Sequence, residues 1–337
     1  MKNCAPLFLG ILLGCAQVRA QSNTLSRPDL ADLANRFAPQ LMHPSNEPNL
    51  PTNVEWLLSR TTLSFESRAC IQDNRSFGRA TAALLASASI TSACDGHLYT
   101  ASGTRNGDKS KTFLLNDVDR VDQHGSIQAA DWTTYYHAYP NDSGGWTIQY
   151  WTFYAFNTGQ TIKVPLLPSV QIGYHGGDWE MVAVVLGPHD VPLNITTTGH
   201  SSIVRVPWNL VTKHGTHPVV YTERGGHEVH ADQQNAGPYI EHPTWAGTLV
   251  HGLPGGDAAP GPLVSLGSRL HPTATWLSYS GLWGSLGATP ISSGYWGPAF
   301  NETGMSSDGF LTAWCIGTAH PQQQEGTKKE CYPDDMR

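Results

Sequence analysis

The pattern of hydrophobic and polar positions changes near residue 110. Before that point, residues 28–37 suit a short helix, prolines at four of the next fourteen positions force extended chain, and residues 78–92 suit another small helix. After it, apolar and β-branched residues form short runs that predict strands. These runs cover residues 112–115, 133–139, 146–156, 180–186, 202–206 and 218–221.

Turn signals between the strands predict the fold class. They recur roughly every 8–15 residues, which favours antiparallel pairing over strand–helix–strand units. We predict a mainly β protein, an antiparallel β-sandwich with long loops rich in Gly, Pro and Trp and a few short N-terminal helices. The predicted organisation is a signal peptide at 1–20, an N-terminal arm with a disulfide-stapled helical segment packed on the core at 21–109, and the sandwich core with C-terminal loops at 110–337.

The composition supports a folded β protein and excludes several function classes. Hydrophobic residues make up 39% of the 337 residues and charged residues only 14%, below the ~25% of an average globular domain. Long charged helices are therefore not expected, and the spread of aromatic residues argues against disorder. A net charge of −7 without a basic run argues against a nucleic-acid partner. After the N-terminal segment, no run reaches the ~18 apolar residues of a transmembrane helix.

The first twenty residues have the pattern of a secretory signal peptide. Lys2 precedes an apolar run at residues 7–16 that is too short to span a bilayer, and Val18 and Ala20 suit the −3 and −1 positions of a cleavage site. We therefore expect a protein that is secreted or enters the secretory pathway. The alternative interpretation is a buried N-terminal helix.

The number of cysteines and the N-glycosylation sequons also indicate a secreted protein. The four cysteines beyond the signal peptide are Cys70, Cys94, Cys315 and Cys331. Their even number indicates two disulfides, and sequence proximity favours joining the first to the second and the third to the fourth, although three pairings exist. A zinc site is the alternative, without a C-x-x-C spacing to support it. Exposed N-glycosylation sites are expected at four sequons. They begin at Asn74, Asn141, Asn194 and Asn301.

The segment GYHGGDWE at residues 173–180 carries the clearest chemistry. Asp178 and Glu180 would point to the same face of a strand, because side chains alternate. A glycine turn would fold His175 back toward them. One imidazole and two converging carboxylates are typical of a metal site or of acid–base catalysis. The alternative is that these residues only brace a turn.

A second segment, RGGHEVHAD at residues 224–232, repeats this chemistry. It also follows a predicted strand and also places two glycines before a histidine, His227, which Glu228 follows. In a sandwich, loops gather at one end, so we expect both segments to build one site. The candidate catalytic residues are His175, Asp178, Glu180, His227 and Glu228.

Tryptophan and tyrosine residues are the candidates for an apolar pocket. Large aromatic side chains usually pin loops to the core, and the alternative is that they contact a substrate. The candidate substrate-binding residues are Tyr136, Tyr150, Trp151, Tyr154, Trp179, Trp283 and Trp296.

Three ordered blocks resemble those of the Vps62-like family. They are IQYWTFYAFN at 148–157, HGGDWE at 175–180 and PVVYTERGGH at 218–227, and a GLWG element at 281–284 fits the family's C-terminal part. More distantly, the chain resembles the necrosis-inducing NLP toxins, whose GHRHDWE motif has the spacing of His175, Asp178 and Glu180. In those toxins a β-sandwich holds a divalent cation with such residues and a later histidine, to which His227 corresponds.

This toxin resemblance implies a metal ligand set of His175, Asp178 and Glu180, with Ca²⁺ or Mg²⁺ as the ion. The chain differs from the toxins in two places. Gly176 and Gly177 replace the Arg and His of the motif, and residues 164–171, where the toxins place another ligand, contain no acidic residue.

The overall make-up also resembles the secreted fungal hetero-Diels–Alderases of tropolonic sesquiterpenoid biosynthesis. The shared features are a signal peptide, four mature cysteines, several sequons and a β core rich in Trp and Tyr. The match does not extend to individual blocks, so it implies no catalytic residue.

Three functions follow as hypotheses. The first is a cofactor-free pericyclase that dehydrates a small-molecule substrate to a quinone methide and directs its cycloaddition with a terpene, since orienting two reactants can supply ~7–11 kcal/mol. The second is an NLP-like secreted toxin or effector that binds a divalent metal. The third is a polysaccharide-active protein, although carboxylates two residues apart on one strand, about 7 Å between Cα atoms, suit neither glycosidase geometry.

Overall fold

The structure is a computed structural model. It describes residues 29–44, 47–103, 108–141, 143–162, 170–198, 203–231, 261–267, 272–288 and 292–299. The predicted signal peptide, the predicted Cys315–Cys331 disulfide and the sequon at Asn301 lie outside these residues.

Short helices and many strands make up the described chain. The α-helices are α1 (Leu30–Phe37), α2 (Val54–Leu58) and α3 (Ala82–Ser87). The strands are β1 (Gln40–Met42), β2 (Pro51–Thr52), β3 (Thr62–Ser67), β4 (Arg75–Arg79), β5 (Ser89–Thr91), β6 (Leu98–Thr100), β7 (Lys111–Leu115), β8 (Thr134–Pro140), β9 (Trp146–Asn157), β10 (Gln160–Ile162), β11 (Val170–Ile172), β12 (His175–Leu186), β13 (Pro192–Thr198), β14 (Ile203–Pro207), β15 (Lys213–His214), β16 (His217–Thr222), β17 (Val229–His230) and β18 (Leu263–Ser265). No helix among them has the length and apolar character needed to cross a membrane.

The largest sheet has the order β14-β13-β12-β9-β8-β18, with β2 pairing β9 beyond the end of β8. Its pairs are antiparallel except β18 with β8. A second sheet joins β15, β16 and β17 to β1, which runs parallel to β16. A third sheet has the order β4-β3-β7, and β5–β6 and β10–β11 form two-stranded pairs. The prediction of a mainly β, sandwich-like fold is confirmed.

Strands β9 and β12 are buried at all twelve positions of each. Because side chains alternate along a strand, such burial requires cover on both faces of the sheet. On one face, Trp151 and Phe153 pack with Trp179, Trp276 and other residues of the first core cluster. On the other face, the second core cluster includes residues of α1, β1 and β16. The two long strands are therefore the centre of the structure.

The predicted strands and the first helix are largely confirmed, with differences at their ends. Strand β12 begins at His175, five residues before the predicted run, so the predicted glycine turn is wrong. His175 and Gly176 instead pair with Asn157 and Phe156 of β9. The helix expected over 78–92 is confined to α3, and β5 follows it.

The segment before residue 110 contains more strand than predicted. Strand β3 pairs with β7, β1 with β16 and β2 with β9, so residues on both sides of the predicted boundary share sheets. The Cys70–Cys94 disulfide is confirmed within this segment. Closing a loop of this length stabilises a fold by about 3 kcal/mol in the chain-entropy model.

The three described sequons differ in exposure. Asn74 is exposed, and its side chain accepts a hydrogen bond from Ser67 N. Asn141 is half-buried, and its Nδ2 donates to Thr147 Oγ1 and Leu186 O. Asn194 is half-buried within β13. Glycosylation at these positions stays a prediction.

Glycines allow the start of β12 to contact the 281–284 loop backbone to backbone. Gly177 has a φ of +58°, and a Cβ there would collide with the carbonyl oxygen of Trp283. A Cβ on Gly284 would collide in turn with the carbonyl oxygen of Gly176. This contact explains why the chain has two glycines at positions where larger side chains would push the loop away.

We predict that Gly177→Ala lowers the free energy of unfolding by about 2–4 kcal/mol. This cost combines the strain of a left-handed backbone at a residue other than glycine with the overpacking of the added Cβ. The matched control is Gly173→Ala. Gly173 has a φ of +75°, but a Cβ added there would meet no atom within 4 Å, so only the backbone cost of about 1 kcal/mol applies. Urea unfolding of both variants measures the difference. Equal losses of stability in the two variants would show that the close contact with Trp283 does not restrict the side chain at residue 177.

Candidate functional site

The candidate site begins with two carboxylates on β12. Asp178 pairs with Tyr154 and Glu180 with Thr152 in the antiparallel β12–β9 ladder. Their separation of two residues places both on one face of the sheet, as predicted. Asp178 is 5% exposed and Glu180 is 8% exposed. Buried carboxylates are rare unless a cation or hydrogen-bond donors accompany them.

Asp178 has donors for one of its oxygens. Its Oδ2 accepts hydrogen bonds from Asn157 Nδ2 at 2.8 Å and from His227 Nδ1 at 2.9 Å. Asn157 Nδ2 also donates to Gly226 O at 3.0 Å. These bonds tie the end of β9 and the start of β12 to the loop between β16 and β17.

His227 lies between two carboxylates. On the side opposite Asp178, its Nε2 is 3.5 Å from Glu47 Oε1. The Tyr154 ring stacks on the imidazole with a centroid distance of 3.8 Å and an interplanar angle of 3°. The side chain of His227 is fully buried. The ring therefore bridges Asp178 and Glu47 instead of exposing a nitrogen.

Glu47 comes from the N-terminal arm. Its side chain is 2% exposed and accepts hydrogen bonds from Gly225 N and Asn49 N at about 3 Å. Parallel pairing of β1 with β16 positions the arm beside the β16–β17 loop. Glu47 was not predicted, because the arm has no periodic pattern and its partner lies about 180 residues later in the chain.

Charge pairing stabilises the imidazolium form of His227. Burial alone lowers its pKa, but the hydrogen bond to Asp178 and the negative charges of Asp178 and Glu47 outweigh burial and raise the pKa to about 9. Conversely, burial raises the pKa of Glu47, but His227 and the backbone donors bring it below its usual value. His227 is therefore positively charged at neutral pH and fits the role of a partner of Asp178 better than that of a metal ligand.

Among the described residues, the carboxyl of Glu180 has no comparable hydrogen bond or opposite charge to offset its burial. Its carboxyl makes no hydrogen bond to the part of the chain that the structure describes. Burial raises the pKa of Glu180 well above its usual value, and the charges of Asp178, Glu228 and Glu223 raise it further. A buried carboxyl among other carboxylates is expensive to ionise unless a cation accompanies it.

His175 lies at the margin of this cluster. Its Nδ1 contacts Gly176 O at 3.2 Å, and its ring meets the Tyr295 ring edge to face at a centroid distance of 4.7 Å. Burial raises the pKa of Tyr295 to about 12, and the charges of Asp178 and Glu180 add to the effect. Tyr295 therefore neighbours both His175 and the carboxylates.

Glu223, Glu228 and His230 border the site on the β16–β17 hairpin. One ligand atom from each lies within 4.8 Å of the others. His230 Nε2 is 3.1 Å from Glu223 Oε1. Of this group, only Glu228 was among the predicted catalytic residues.

The structure thus gathers the five predicted catalytic residues at one end of the large sheet. Asp178, Glu180, His227 and Glu228 interact by contact or charge, and His175 joins them through Tyr295. The residues that sequence reasoning missed are Glu47, Asn157, Glu223, His230 and Tyr295. Asn157 is the last residue of the first family block, and its place in that block is the sequence signal that could have identified it.

All seven aromatic residues predicted to bind a substrate are buried, and none is more than 7% exposed. Trp151, Trp179 and Trp283 pack in the first core cluster, and Tyr136 and Tyr150 pack in the second. Trp296 packs with Leu114 and Leu282, while Tyr154 stacks on His227. A substrate-binding role for these residues stays a prediction.

We predict that the stability supplied by charged His227 depends on pH in a defined window. Because its pKa is raised on folding, this contribution is complete below the unfolded value of about 6.5 and is lost as pH rises through about 9. The free energy difference between wild type and His227→Gln should therefore be largest at pH 6 and should shrink by pH 10. Urea unfolding at several pH values measures it, with exposed His97→Gln as the control. A difference that is independent of pH would contradict the charge assignment.

Comparison with known proteins gives one family match and several distant structural neighbours. Residues 101–245 match the family Vps62, described as vacuolar protein sorting-associated protein 62. No curated protein matches the chain. A triple mutant of NLPPya is 12% identical, with 74% of this chain and 78% of that chain covered and a TM-score of 0.36. NLPPya in complex with glucosamine is 13% identical, with 73% and 76% covered and a TM-score of 0.34.

A structure titled "Toxin fold as basis for microbial attack and plant defense" is also 13% identical, with 71% of this chain and 75% of that chain covered and a TM-score of 0.32. The family match includes both long strands, the GDWE segment and the β16–β17 loop. The resemblance to the Vps62 family that the three sequence blocks indicated is therefore confirmed for residues 101–245.

Proposed function

We propose that this chain is a divalent-cation-binding protein whose cation site is formed by Asp178 and Glu180, with His175 at its margin. The observation that carries the proposal is the Glu180 carboxyl, which is more than nine-tenths buried and makes no hydrogen bond to the described residues. Carboxylate oxygens with one imidazole are a common donor set for divalent metals.

The residues around this site fit a cation. Asn157 and His227 both bond to Oδ2 of Asp178, so they fix the orientation of the carboxylate. Such outer contacts orient metal ligands in proteins. If Nδ1 of His175 donates to Gly176 O, the lone pair of the ring is on Nε2. A bound cation would supply open coordination positions for oxygen atoms of a ligand.

We further propose that the protein is secreted and acts as an effector-type binding protein that depends on the cation. The Cys70–Cys94 disulfide supports export, because such bonds persist in oxidising compartments. Burial raises the pKa of Glu180 well above its usual value, and the pKa of His227 is raised to about 9. Charged groups of this kind favour a cation site over a pocket for an apolar small molecule.

The test is a thermal unfolding series of wild type and Glu180→Gln. In a chelator at pH 7.5, Glu180→Gln should be the more stable protein, because it removes a carboxyl whose pKa is raised on folding and whose ionisation above about pH 4.5 therefore opposes folding. With Ca²⁺, Mg²⁺ or Mn²⁺ in about hundredfold excess over Kd, wild type should gain about 2.7 kcal/mol, or roughly 5 °C, and Glu180→Gln should gain little.

The matched control is Glu55→Gln, which removes an exposed carboxyl from α2 and should behave as wild type in every condition. A wild-type protein that contains no metal after purification and whose melting temperature none of the three cations changes would contradict the proposal. A cation response that Glu180→Gln retains in full would place the cation elsewhere.

A further inference from the structure

Two histidines face each other across the β15–β16 hairpin. His214 ends β15, His217 begins β16, and the antiparallel register pairs them directly. Gly215, which has a φ of +64°, and Thr216 form the turn between them. Side chains of directly opposed residues lie on the same face of a sheet, with Cβ atoms about 4.5–5.5 Å apart. The register therefore holds the two imidazoles side by side.

Both imidazoles are oriented by the segment that follows α1. Nδ1 of His217 is 2.8 Å from Ala38 O, and Nδ1 of His214 is 2.6 Å from Oε1 of Gln40. Gln40 pairs with Val219 in the parallel β1–β16 ladder, so its side chain lies on the face that Val219 shares with His217. From that face it crosses β16 to reach His214 on β15. Residues 38–40 thus supply the acceptor for Nδ1 of each ring.

These two contacts decide which nitrogen of each neutral ring carries the proton. Carbonyl oxygens accept hydrogen bonds and do not donate them, so Nδ1 is the donor in both rings and Nε2 has the lone pair. Neither Nε2 has a hydrogen-bond partner among the residues that the structure describes. His214 is exposed and His217 is half-buried. Metal-binding histidines almost always donate the other ring N–H to such an acceptor, and both rings have this arrangement.

Attachment of the hairpin to the segment after α1 does not by itself require two imidazoles. Thr216 Oγ1 donates to Arg36 O at the same hairpin tip. The two histidine contacts use only Nδ1, and an amide side chain could donate to the same carbonyl oxygens. What two imidazoles add is a pair of neighbouring Nε2 lone pairs, which a metal ion can bind together.

We propose that His214 and His217 form a surface site for a transition-metal ion, bound through Nε2 of both rings with water completing the coordination. Imidazole suits Cu²⁺, Zn²⁺ and Ni²⁺, and Cu²⁺ should bind most tightly of the three. Ca²⁺ and Mg²⁺ prefer oxygen ligands and should not bind here. The pair shares no residue with the cation site on β12, so this inference does not rest on the proposed function.

The test is a Cu²⁺ titration of the full chain followed by electron paramagnetic resonance. Nitrogen hyperfine structure in the spectrum counts the imidazoles that bind Cu²⁺. The cation site on β12 offers at most one imidazole, that of His175. Wild type should therefore show Cu²⁺ with two bound imidazole nitrogens. Glu180→Gln, which removes a ligand of the β12 site, should show the same signal, so the two sites are distinguished.

His214→Gln and His217→Gln are the informative variants. Gln retains an N–H donor for the segment after α1 but removes the imidazole, so a structural contact survives while the metal ligand is lost. Loss of an outer partner alone reduces metal affinity about 10–100-fold, so loss of a ligand should weaken Cu²⁺ binding at least about tenfold. Both variants should also lose the two-nitrogen signal. The control is His97→Gln, which removes an exposed histidine on another hairpin and should keep the signal.

Three outcomes would contradict the inference. The first is a wild-type spectrum in which Cu²⁺ has at most one imidazole nitrogen. The second is a two-nitrogen signal that both variants retain at wild-type affinity, which would place the ion on other histidines. The third is a signal that only one of the two variants loses. Far-ultraviolet circular dichroism of each variant verifies that a lost site is not a lost fold.

Discussion

The burial of several carboxylates at one end of the large sheet is the constraint on which the rest of this structure depends. Removing a carboxylate from water is costly unless a cation or donors replace the water. His227 compensates Asp178 and Glu47 by lying between them as an imidazolium. Glu180 has no equivalent partner among the described residues. We propose that a cation between these carboxylates offsets the cost of their burial.

Several segments that are distant in the sequence meet at this point. The N-terminal arm contributes Glu47 through the parallel β1–β16 pair, and the end of β9 contributes Asn157. The β16–β17 loop contributes His227, and Tyr295 closes the side near His175. The glycines at the start of β12 let the 281–284 loop approach this end of the sheet. The site is therefore held by backbone contacts from several segments and not by one loop.

Local patterns predicted the parts of the site that lie on single strands. Period-two alternation placed Asp178 and Glu180 on one face, and the repeated Gly-Gly before a histidine linked His227 to them. Local patterns of this kind do not predict contacts between segments that are far apart in the sequence, so Glu47 was missed. The glycines before Asp178 suit a turn in the sequence, but pairing with Asn157 and contact with Trp283 extend the strand to His175. The aromatic residues predicted to bind a substrate pack largely in the core clusters, and a substrate-binding role stays a prediction.

The most direct test of the cation account is anomalous diffraction from crystals of the protein grown or soaked with Mn²⁺. An anomalous peak within coordination distance, about 2.2 Å, of carboxylate oxygens of Asp178 and Glu180 is the predicted result. The same map should show His227 still hydrogen-bonded to Asp178 and paired with Glu47. A fully occupied Mn²⁺ elsewhere in the crystal, with no peak at these carboxylates, would contradict the account.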